Sequence, residues 1–246
     1  MENKGINMKQ LIIDKRMRKV EKEKLQELGY NLVEIQKSLD VYEEISSHVD
    51  IFVCKIGKNI IIEPNQYELI YKSIYKNFKI EKGQEKIGHN YPSDIKYNVC
   101  TIGKKALHNF EFCDSKIKQE LINQGYKLVN TTQGYTNCSI AVIDDNSAIV
   151  TDKGLYKILQ KHNIDVLYLP YEPDIKLLNG QEYSKRKGFI GGAISRVGNK
   201  IIIFGDLKKI DKEGRIREFI SKKSLEILEF KGLDIIDYGG IVEIEE

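Results

Sequence analysis

No run in this 246-residue sequence reaches the roughly 18 consecutive apolar residues of a membrane span, and the N-terminus has no apolar segment of the signal-peptide kind. A soluble, cytoplasmic chain with no membrane partner is therefore expected. The four cysteines, at 54, 100, 113 and 138, show neither CxxC spacing nor a paired framework. That excludes a zinc ribbon and a disulfide-stapled fold and points to a reducing compartment. No metal-ligand spacing appears, and GKNIII and GNKIII do not match a phosphate-binding loop, so neither metal nor cofactor is expected. Charge of one sign is also missing: 39 basic against 36 acidic side chains leave +3. The short Lys185, Arg186, Lys187 cluster reads as a solvated loop, and no nucleic-acid partner is implied.

What the chain does contain is a repeat. Residues 133–155 read as a Gly-containing turn, a strand from Ser139 to Ile143, a polar turn at Asp144 to Asn146, a strand from Ala148 to Thr151, and a helix beginning at Asp152. HVDIFVCKIGKNIIIEPNQ (48–66) and YPSDIKYNVCTIGKKALHN (91–109) follow the same grammar. Asp50, Asp94 and Cys138 then fall at equivalent places, since 94 − 50 = 44 and 138 − 94 = 44.

Five units follow, at about 9–36, 48–81, 92–129, 137–169 and 188–230. The helix of the second spans QYELIYKSIYKNF, with Leu69, Ile70, Ile74 and Tyr75 as its packing stripe. A polar stretch, 171–188, reads as a loop over one face. The first unit lacks its first strand, and the chain ends with one to spare in 238–245. Pairing Ile241–Ile244 beside Leu11–Ile13 would close a ring in a single domain, 1–246, with no sheet edge at the seam.

Five such units resemble the pentein fold, a five-fold pseudosymmetric α/β propeller. Arginine and agmatine deiminases, dimethylarginine dimethylaminohydrolase, the amidinotransferases and the initiation factor six proteins share it. Within that superfamily the chain is similar to a clostridial-type family of unknown function. The enzymes carry a GHxD-type motif, to which His48, Asp50 and Phe52 in HVDIFV are similar, and a cysteine in the closing strand. Here that strand reads YGGIVEI, without cysteine, whereas Cys138 in GYTNCS lies two units after His48, which suggests the same geometry in a rotated register.

Strand heads in such a ring converge, so His48, Asp50, Asp94 and Cys138 are the candidate catalytic set. Paired carboxylates suit a guanidinium, and a nearby cation raises the thiolate fraction of Cys138. Asn98, Asn137, Gly191, Gly192, Gly239 and Gly240 are candidate substrate-binding positions, the glycines as donors of backbone amides to an anion. The resemblance implies a Cys-dependent hydrolase or amidinotransferase-like enzyme acting on a small guanidino or amide-like substrate; a homodimer is left open. The alternative is a non-catalytic ring of the initiation-factor kind, docking on a ribosome or protein. In the plainer reading Cys138 is a small core residue and the glycines serve crowded turns.

Overall fold

Local chemistry sets where each unit's helix begins. The structure, a computed structural model, describes residues 9–74 and 78–244. The chain opens with β1 (Lys9–Asp14), α1 (Lys19–Glu27) and β2 (Tyr30–Ile35). The second unit holds α2 (Val49–Phe52), β3 (Val53–Ile56), β4 (Asn59–Ile62), α3 (Pro64–Ile70) and β5 (Ile80–Lys82). The third holds β6 (Cys100–Ile102), β7 (Lys105–His108), α4 (Ser115–Asn123) and β8 (Lys127–Asn130). Then come α5 (Thr136–Ser139), β9 (Ile140–Asp144), β10 (Ser147–Val150), α6 (Lys153–Lys161) and β11 (Asp165–Tyr168). A hairpin, β12 (Lys176–Asn179) and β13 (Glu182–Lys187), leads to α7 (Ile190–Ala193), β14 (Ile194–Val197), β15 (Lys200–Ile203), α8 (Arg215–Ser221) and β16 (Glu226–Glu229), and β17 (Val242–Ile244) ends the described chain. Glu63, Asp114 and Asp152 cap α3, α4 and α6 by accepting hydrogen bonds from first-turn amides.

The strands form five separate three-stranded sheets and the two-stranded hairpin; no sheet closes on itself among the described residues. In each three-stranded sheet the middle strand runs antiparallel to one neighbour and parallel to the other. The spare terminal strand pairs as expected, antiparallel to β1, with Leu11 opposite Glu243 and Ile12 opposite Val242. The middle strands NIII and KIII are nearly all buried, because both of their faces are covered; this is why they read as unbroken apolar runs. One strand from each three-stranded sheet, β3, β6, β9, β14 and β17, lines a common cavity of about 720 Å³.

Three local expectations change. The helix after Glu63 ends at Ile70 in a 3-10 turn, Tyr71–Ser73, leaving Leu69 58% exposed; Ile74 is buried beyond the helix and Tyr75 lies outside the described residues. Residues 171–188 contain the β12–β13 hairpin, anchored where Ser184 donates to Glu44 and the Arg16 guanidinium to the Leu178 carbonyl. Val49–Phe52 and Ile190–Ala193, read as the beginnings of strands, and Thr136–Ser139, read as the turn entering one, are single helical turns. The turns at Val49–Phe52 and Thr136–Ser139 place the polar side chains of Asp50, Asn137 and Cys138 at strand heads without using a ladder position, and the one at Ile190–Ala193 brings Gly191 and Gly192 there.

Candidate functional site

Two of those turns are held against each other by Asn98. Its Oδ1 accepts from the Asn137 and Cys138 amides at 2.8 and 3.3 Å, and its Nδ2 donates to Cys138 Sγ at 3.1 Å and to the Asp50 carbonyl at 3.2 Å. α2 and α5 are thereby locked so that the Cys138 thiol donates to Asp50 Oδ2 at 2.8 Å, with Asn137 Nδ2 3.5 Å from the same oxygen. The other oxygen of Asp50 is buried without a hydrogen-bond partner among the described residues.

A second carboxylate comes from the chain's closing segment. Asp237 accepts from the Phe189 amide through Oδ2 and from the Gly239 amide through Oδ1, both at 2.8 Å. Its Oδ1 lies 3.7 Å from His48 Nδ1. The Val49 and Asp50 amides donate to the Tyr238 and Gly239 carbonyls, which fixes this segment beside His48. The imidazole is 1% exposed, and neither ring nitrogen has a hydrogen-bond partner among the described residues.

The electrostatics follow from burial. Asp50 is pushed up to about 7, first by loss of solvent and then by the charge of Asp237. Burial drives the Cys138 thiol well above its ordinary value, and both carboxylates add to this. Burial pulls His48 down although Asp237 opposes it, so the imidazole is neutral at neutral pH. The resting nucleophile candidate is a thiol: burial and two acidic neighbours raise its pKa, and no cation is among the neighbours that shift it. A bound cation would reverse that balance.

Asp94 does not join this group. It precedes its hairpin glycine, Gly103, by nine residues, whereas Asp50 precedes Gly57 by seven, so a 44-residue period misaligned them. Its carboxylate accepts from Tyr135 Oη at 2.5 Å. Tyr135 in turn stacks near Phe189 and meets the Tyr42 hydroxyl at 3.4 Å, and Arg186 sits over the Tyr42 ring.

The four glycines stand where close packing or a left-handed backbone requires them. A Cβ on Gly192 would strike the Asp237 carboxylate, and one on Gly191 the Asn137 and Cys138 carbonyls. Gly239 and Gly240 have φ of +68° and +73°, and their amides are committed to Asp237 and to the Gly192 carbonyl. Sequence reasoning missed Asp237; its signal was an acidic residue just ahead of the Gly-Gly turn. Among the described residues no cluster suits a metal ion, and no helix is long and apolar enough to cross a membrane.

A family of unknown function, DUF6873, matches residues 12–242. The chain belongs to that family. No curated protein sequence matches this DUF6873 member. Its structure is similar to that of DDAH from Pseudomonas aeruginosa complexed with citrulline, at 10% identity and TM-score 0.57, covering 91% of this chain and 92% of the other. It is also similar to inosamine-phosphate amidinotransferase from Streptomyces griseus, at 13% identity and TM-score 0.55, covering 90% and 75%. Agmatine deiminase from C. jejuni matches at 11% and 0.51, covering 90% and 76%. These neighbours are pentein-superfamily proteins, and the likeness is one of fold.

Proposed function

We propose that this DUF6873 protein is a Cys-dependent enzyme that cleaves a C–N bond of a small guanidine or amidine, with its five sheets as the blades of a pentein-type ring. The observation that carries this reading is the buried contact of Cys138 with Asp50, set beside Asp237 and His48. Neighbours that include a deiminase and an amidinotransferase support the class.

A cationic planar head fits the unpartnered oxygen of Asp50 through charge-assisted hydrogen bonds, and its charge favours the thiolate. As the Sγ–C bond forms, the thiol proton passes to Asp50. The C–N bond then breaks and the departing amine takes up a proton by way of His48. Water adds to the S-bound carbon, gives up its proton to His48, and the S–C bond breaks to restore the thiol. The net change converts a guanidinium and water into a urea and an ammonium ion; with an amine in place of water, the same intermediate gives amidino transfer.

The test is a panel of guanidines and amidines assayed for released ammonia or amine. Turnover that disappears in Cys138→Ser supports the proposal. Turnover that survives this substitution excludes Cys138 as nucleophile, and no turnover with any member of the panel goes against the enzyme reading.

A further inference from the structure

A second, smaller cavity of about 370 Å³ lies between the loop 132–135, the start of α6 and Tyr91. It shares no lining residue with the 720 Å³ cavity, and its volume is at the low end for small-molecule sites. Leu155 and Ile158 give it apolar lining, Tyr91 and Tyr135 aromatic rings, and Asp152 a carboxylate. The ring centroids are 6.0 Å apart and the planes are inclined at 44°, an open V rather than a closed stack.

These walls are fixed in advance. Tyr91 is 52% exposed, yet its ring lies against Gly134, where a Cβ would come within 2.6 Å of it. The loop is braced by its own hydrogen bonds: the Thr131 and Thr136 hydroxyls donate to the Gln133 carbonyl at 2.9 and 2.6 Å, and the Gln133 side-chain oxygen accepts from the Tyr135 amide at 3.1 Å. The Tyr135 ring is anchored through its hydroxyl on Asp94. A ligand entering such a site has little ordering to do.

Asp152 sets the charge of the ligand. Its Oδ1 accepts from the Leu155 amide at 2.7 Å, and no Lys or Arg pairs with it among the described residues. The start of α6 contributes only about half a positive charge, so a whole carboxylate charge leaves the pocket negative. Gly154 keeps that carboxylate open, since a Cβ there would stand 3.0 Å from Oδ1. Glycine is a poor helix former, so its place in the first turn of α6 goes with access to Asp152 rather than with helix stability.

We infer that this smaller pocket binds an N-methylated ammonium ion, its charge facing Asp152 and its methyl groups against Tyr91, Tyr135 and the side chains of Leu155 and Ile158. Ring faces attract a cation within about 6 Å of their centroids. N-methyl groups need no hydrogen-bond acceptor, which suits a lining of rings and aliphatic carbons. The site is independent of Cys138 and stands whether or not that thiol is a nucleophile. The probe is choline chloride, titrated into the full-length chain at constant ionic strength and followed by backbone amide NMR, beside 3,3-dimethyl-1-butanol, a neutral molecule of the same shape. Asp152→Asn removes the charge and keeps a good helix cap. Tyr91→Leu removes a ring face and Tyr91→Phe retains it, both at an exposed position where folding is insensitive to the change.

The result expected is saturable binding of choline that shifts the amide signals of Gln133 and Gly154, with the neutral alcohol bound about tenfold more weakly. Choline affinity should fall severalfold in Asp152→Asn and in Tyr91→Leu and stay within about twofold of the parent in Tyr91→Phe. Equal binding of the two probes, or an affinity unchanged in either Asp152→Asn or Tyr91→Leu, would overturn the proposal. So would shifts confined to Asp50 and the strands of the larger cavity, or no saturable binding up to about 0.1 M choline.

Discussion

Cys138 Sγ and Asp50 Oδ2 are 2.8 Å apart, although 88 residues separate them in the chain. The contact exists because Asn98 clamps the two helical turns that carry them. It sets a resting state in which the thiol is protonated and the carboxylate is poised near neutrality.

The first consequence concerns stability against pH. Asp50 has a folded pKa of about 7 against 3.8 when free, so above 3.8 the unfolded chain ionises while the folded chain keeps its proton. Its contribution is fully present below pH 3.8 and declines as pH rises to about 7. The difference of about 3 units corresponds to about 4 kcal/mol. Asp50→Asn is expected to raise the melting temperature more at pH 8 than at pH 4. A shift of the same size at both would contradict the assignment.

Asp237 acts on Asp50 through its charge. Asp237→Asn is expected to lower the Asp50 pKa, moving to lower pH the midpoint at which an NMR signal from its carboxyl carbon titrates. It should also destabilise the fold by about 1–3 kcal/mol, because the Phe189 and Gly239 amides lose a charged acceptor. An unmoved midpoint would leave Asp237 with a purely structural part.

Gly192 is held to glycine by that same carboxylate. Gly192→Ala should cost about 1–3 kcal/mol by overpacking, read from denaturant unfolding, and should displace Asp237 from His48. Ser195→Ala, nearby on β14, removes only the hydroxyl that accepts from the Ile241 amide, at a cost of about 1 kcal/mol, and serves as control. Equal effects from the two would remove the packing argument.

The period of the sequence carried the architecture further than it carried the site. The missing strand ahead of β1 and the surplus strand at Val242 announced their own pairing, because an apolar strand needs a partner on each side. His48, Asp50 and Cys138 were legible as strand-head residues. Asp94 was misplaced because the period of 44 residues varies by two between hairpin glycines, and a shift of two carries a side chain to the next layer. Asp237 was hidden because its part depends on the consecutive left-handed glycines that follow it, which turn its neighbours back toward His48. The protonation state of Cys138 could not be read from residue types alone, since burial sets its direction.

Cys54, Cys100 and Cys113 are buried as Cys138 is, and burial raises all four thiols, so exposure does not distinguish them. What distinguishes Cys138 is its carboxylate partner, which can receive its proton and attract a cation. The most direct measurement is intact-mass analysis of the native protein after a cationic haloacetamidine, with peptide mapping, beside a neutral haloacetamide of matched intrinsic reactivity. The account predicts a single adduct, on Cys138, formed faster with the cationic reagent, an advantage lost in Asp50→Asn and an adduct lost in Cys138→Ser. Slow, uniform modification of all four cysteines, with no preference for the cation, would contradict it.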